Sequence, residues 1–130
     1  MINATPLQIG DTVPHFELRS VDGVLIRYST IWQHRNLVLV SLRANENDDH
    51  YINQLRARAS AFDDHVSTCV VTREHIAGLA APGLLVADRW GEIVHIVASP
   101  SVSELPAADR LLKWLEAIEY RCPECEGEAR

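Results

Sequence analysis

Three scarcities narrow what this chain of 130 residues can do. It holds one lysine, Lys113, against eleven arginines, and 18 acidic residues leave it at a net charge of −6. An acidic balance argues against a generic electrostatic grip on nucleic acid or on an anionic membrane surface. The longest apolar stretch, residues 77–87, is broken by glycine and proline and is too short to span a bilayer. Met1 to Ala4 lead into Pro6 and Gly10 with neither a basic region nor an apolar one, so no secretory signal is visible. The three cysteines are Cys69, Cys122 and Cys125. An odd count without a signal peptide favours a reducing, cytoplasmic setting over a disulfide framework. No repeat or low-complexity tract appears. The length is that of one domain, able to bury roughly 65–70% of its unfolded surface.

What is present is an ordered series of β and α signals. His15 to Arg19 alternates, Asp22-Gly23 supplies a turn and Val24 to Tyr28 returns, which predicts a hairpin. Leu37 to Leu42 is an apolar run of β-formers, the mark of a central strand buried on both faces. Asp48-Asp49 open a helix of about four turns whose stripe is Ile52, Leu55, Ala59 and Phe62. Ser67 to Thr72 is a second strand, and the β-α-β order predicts a parallel crossover. Residues 84–87 and 93–97 flank the turn Asp88 to Gly91 as an antiparallel hairpin. A last helix is expected from about Ser103, with Pro106 in its first turn and Ala108, Leu111, Leu112, Leu115 and Ile118 on its stripe. The fold class is α/β: a hairpin, then β-α-β, then β-β-α around a mixed sheet with helices on its faces. Residues 1–121 form the domain, and residues 122–130 form a tail.

Three motifs carry a resemblance. Residues 7–18 followed by Asp22-Gly23 are similar to an opening of the form GD-x-x-P-x-F-x-L…DG. Asn36 to Leu42 matches a strand that delivers an active site, and residues 82–94 resemble P-T-x-x-x-x-D-x-x-G-x-I. Together they resemble the thioredoxin-like redoxins, the branch that includes alkyl hydroperoxide reductase and the thiol-specific antioxidants (peroxiredoxins). The resemblance implies a thioredoxin fold, thiol-dependent peroxide or disulfide chemistry, and a cis peptide before Pro82 beside the site.

The same overlay exposes a departure. Family redox enzymes place a cysteine after the central strand, at the start of the next helix, where the helix dipole lowers the thiol pKa. Here Asn47-Asp48-Asp49-His50 stand at that place, and no cysteine lies between Met1 and Thr68.

Any thiol catalysis then falls to Cys122 and Cys125 of the CPEC sequence. A C-x-x-C pair reads as a relocated dithiol acting on a protein or small-molecule thiol or disulfide partner. It also reads as half a zinc site, which needs a second chain and hence a homodimer. A third reading is a tail with two solvent-exposed thiols. Following a helix C-terminus among Glu116, Glu119, Glu124, Glu126 and Glu128, the pair is poorly placed to be a thiolate, and topology puts it opposite the usual active-site pole. Cys69, mid-strand, is expected to be a buried and inert thiol.

At the pole itself, Arg43, Asn47, Asp49, His50, Arg73 and Pro82 are candidates for a small-molecule or anion site, since the ends of parallel strands beside a helix start bind such ligands. A metal on Asp49, His50 and His75 has no spacing to single it out. Helix capping and a solvated surface would account for the same residues. Beyond zinc at the tail, no cofactor is implied.

Overall fold

The computed structural model describes residues 5–129, with side chains through Glu119. Strands β1 (Glu17–Arg19) and β2 (Leu25–Arg27) form the expected hairpin, closed through Gly23 at φ 81°. It is shorter than the alternation suggests, because Tyr28 to Thr30 wind into a 3-10 turn that buries Tyr28. Strand β3 (Asn36–Ser41) is buried at every position. It pairs in parallel with β4 (Ser67–Thr72) and antiparallel with β5 (Gly83–Ala87), which pairs antiparallel with β6 (Ile93–Ala98). The sheet order is β4-β3-β5-β6. Among the described residues no helix is long and apolar enough to cross a membrane.

The predicted four-turn helix is two helices, α1 (Asp49–Ala57) and α2 (Ala59–Asp64). Arg58, at φ −109° and ψ 17°, leaves the helical region, and its N–H closes on the Leu55 carbonyl. The break turns Ala59 out to solvent and still carries Phe62 into the core, while Tyr51 joins the buried stripe that the periodicity assigned to Ala59.

The last helix, α3 (Ala108–Ala129), starts later than expected. Leu105 precedes proline and is extended (φ −69°, ψ 150°), as the steric demand of Pro106 requires. Only after Pro106 does the helix begin, its Ala108 N–H received by Gln54 Oε1 at 2.9 Å. The helix also runs past Arg121 to Ala129, so Cys122 and Cys125 fall within its span rather than in a tail after its end.

Helices do not cover both faces. Val38, Val40, Val71, Leu84 and Val86 meet α1, α2 and α3 on one side, through Ile52, Leu55, Phe62, Leu111 and Leu115. On the other, Leu37, Leu39, Val70, Leu85 and Ile93 lie under the hairpin, Tyr28, Ile31, Ile76 and Leu79. The strand period of two sends alternate β3 residues to two separate cores.

The outer edge of β4 is blunted rather than open. Val21 N–H bonds the Val71 carbonyl at 2.8 Å. At the other end, Arg35 donates to the Ser67 carbonyl at 2.8 Å, to Thr68 Oγ1 at 2.9 Å and to Asp63 at 2.6 Å. A charged side chain on an edge discourages strand addition.

The peptide before Pro82 is cis, as the resemblance implies. Gly83 follows it where a Cβ would lie 2.4 Å from the Ala80 carbonyl oxygen and 2.8 Å from that of Val97. Backbone on both sides cannot retreat as a flexible side chain could. Gly83→Ala is therefore expected to destabilise the fold by about 1–3 kcal/mol through overpacking, read as a lower urea midpoint at an unchanged m-value.

Candidate functional site

Because β3 and β4 are parallel, Ser41 and Thr72 end side by side, and the chain leaves both strands at one pole. β5 runs antiparallel to β3 and places Gly83 opposite Ser41, which brings Ala81 and Pro82 to the same pole. The segments 43–48, 73 and 81–82 converge there.

Their junction is an ion pair. Arg73, one residue beyond β4, grips Asp48 with Nη1–Oδ2 at 2.7 Å and Nη2–Oδ1 at 2.5 Å. Nη1 also donates to the Arg43 carbonyl at 2.9 Å. The Asp48 side chain has no exposed surface, whereas Arg73 keeps a third of its own. The bonds to Asp48 hold the Arg73 guanidinium above its ordinary pKa against the opposing effect of burial, with the charges of Asp48 and Asp49 adding to the rise. Nearby, Arg43 Nε donates to the Ala81 carbonyl at 3.1 Å, tying the β3 exit to the cis peptide.

Asp48 also begins α1. Its carbonyl accepts the Ile52 N–H at 3.0 Å, but its carboxylate caps no helical N–H. Side-chain capping has been given up for the bidentate grip of Arg73, while the carboxylate still gains from the positive end of the helix. The pole thus holds a fixed anion, and its neutralising cation belongs to the chain.

The expected ligand set divides accordingly. Arg73 and Pro82 are built into the pole, and Arg43 is exposed above them with one nitrogen engaged. Asn47, just ahead of α1, and Asp49 and His50 on its first turn are exposed. Asn47 and His50 edge a cleft of about 310 Å³ shared with Tyr51, Gln54, Ser103 and Leu105. One wall is closed by Tyr51 Oη donating to the Pro106 carbonyl at 2.7 Å. Among the described residues no group of three His, Cys, Asp or Glu side chains could hold a metal ion, so Asp49, His50 and His75 are not gathered into a site.

The residue at the centre, Asp48, was legible only as a helix start. The clue available in sequence was an acid at that start together with an arginine one step beyond the parallel partner strand.

Cys69 lies away from the pole. It pairs in register with Val38, three residues short of the Ser41–Thr72 level, or about 10 Å along the strand. It is half-buried against the helical core, and burial pushes its thiol up to about 12. The side chains of Cys122 and Cys125 lie outside the described residues, and the dithiol and zinc readings with them.

The fold has solved counterparts. The chain is similar to the reduced 2-Cys peroxiredoxin of Plasmodium vivax, with a TM-score of 0.69 and 12% identity over 88% of this chain and 83% of that one. It has a thioredoxin-like fold. This thioredoxin-like chain also resembles Mycobacterium tuberculosis AhpC (TM-score 0.66, 14% identity, 88% and 94% covered). Likeness extends to a thiol:disulfide interchange protein from Bacteroides sp. (TM-score 0.57, 14% identity, 85% and 90% covered). No family model matches the sequence, and no curated protein matches it either.

Two outcomes are expected. Arg73→Ala leaves a wholly buried carboxylate unpaired and should cost about 3–5 kcal/mol. Asp48→Asn leaves a guanidinium that can turn to water, so it should cost less, about 1–3 kcal/mol. Urea unfolding of both variants checks the order. The second outcome concerns the thiol, tested in the Cys122→Ser/Cys125→Ser chain. With its thiol at about 12, Cys69 should react with iodoacetamide at pH 8 at least about a thousandfold more slowly than free cysteine. Because its folded pKa lies above the ordinary value of 9.0, the native state holds the proton longer than the unfolded one. The stability this brings is present below pH 9 and drains away as pH rises toward 12; the rise of Tyr28 from 10.0 to about 12 acts in the same direction.

Proposed function

We propose that this chain is a non-catalytic binding module on a thioredoxin-like scaffold, with a carboxylate where a redox enzyme keeps its thiolate. The observation that carries this reading is the Arg73 grip on buried Asp48. A thiolate at a helix start beside a guanidinium is activated for attack, because the surroundings favour the anion. A carboxylate placed there is stabilised by the same forces, but it cannot form or exchange a disulfide. With Arg73 engaged by Asp48, the groups left for a partner are Arg43 beside the Ala81–Pro82 segment and Asn47 and His50 at the neighbouring cleft. They are suited to hydrogen bonding with a protein or a small polar molecule.

A second reading has its own support. The similar structures include peroxiredoxins and a thiol:disulfide interchange protein, and the chain retains one C-x-x-C. On that reading, peroxide or disulfide chemistry belongs to Cys122 and Cys125, acting on a partner or a second copy. A zinc ion shared between two copies would use the same thiolates.

Peroxide consumption and insulin-disulfide reduction, measured on the intact chain and on Cys122→Ser/Cys125→Ser, separate the possibilities. The binding module predicts no turnover by either. Turnover lost with Cys122 and Cys125 would favour the second reading, and turnover that survives their loss would overturn both. A thiol titration with a zinc assay on untreated protein reports whether the pair is free, bonded or metal-bound.

The pole can also be tested directly. In the double-serine chain, Asp48→Cys should acquire a thiol with a pKa of about 4–7.5, drawn down by Arg73 and the start of α1. Ultraviolet absorbance of the thiolate reads it. A value at or above that of free cysteine would show that Asp48 does not occupy an anion-stabilising position.

A further inference from the structure

We draw no further inference here: the strongest candidate, the apolar groove of about 440 Å³ between the β1–β2 hairpin, the α1–α2 pair and the outer edge of β4, carries nothing because Arg35 and Val21 already occupy both ends of that edge and nothing in the structure shows what covers the rest.

Discussion

The paired charges of Asp48 and Arg73 tie the end of β4 to the segment between β3 and α1, 25 residues away in the chain. Arg73 extends from the end of β4, Asp48 starts α1, and the Arg43 carbonyl on the same guanidinium belongs to the exit of β3. Arg43 then reaches the Ala81 carbonyl ahead of cis-Pro82. A buried carboxylate is costly to desolvate, and only close, bidentate pairing with a cation offsets that cost. The exit of β4 and the start of α1 therefore meet a geometric requirement set by one carboxylate.

That requirement bears on what the pole can do. Helix start, cation and cis-proline form the kind of environment that stabilises an anion beside a backbone edge. Because the anion is a side chain of the protein, its charge is balanced internally, and Arg73 has little attraction left for an outside phosphate or carboxylate. The thiol nearest in the sheet, Cys69, lies deeper along β4 and is held protonated by burial. Around the Asp48–Arg73 pair the pole presents the exposed side chains of Arg43, Asn47, Asp49 and His50.

Much of this was legible residue by residue. The unbroken apolar run of β3 announced a strand covered on both faces, and all six residues of Asn36–Ser41 are buried. The span of β4 and the hairpin of β5 and β6 follow from local pattern, and the cis peptide before Pro82 is the one the resemblance implied. Where reading by period went astray, a single residue was responsible. Arg58 divides a stripe that looked continuous, and Pro106 delays α3 because its ring holds Leu105 extended. The placement of all three helices on one face, with hairpin and loops on the other, left no trace in periodicity. A helical stripe reports that one side is buried, not which face of the sheet buries it.

By itself the sequence determined the order of elements, the two-sided burial of the central strand and the lack of a thiol at the start of α1. Each is a matter of residue type and short-range spacing, and steric and hydrophobic preferences act over a few residues. Tertiary structure alone decided that Asp48, among the four residues Asn47 to His50, turns inward, and that Arg73 rather than water receives it. Those two residues stand 25 apart in the chain, and their pairing depends on parallel strands ending level with each other. Coulomb attraction selects partners by distance in space, a quantity that exists only once the sheet has formed.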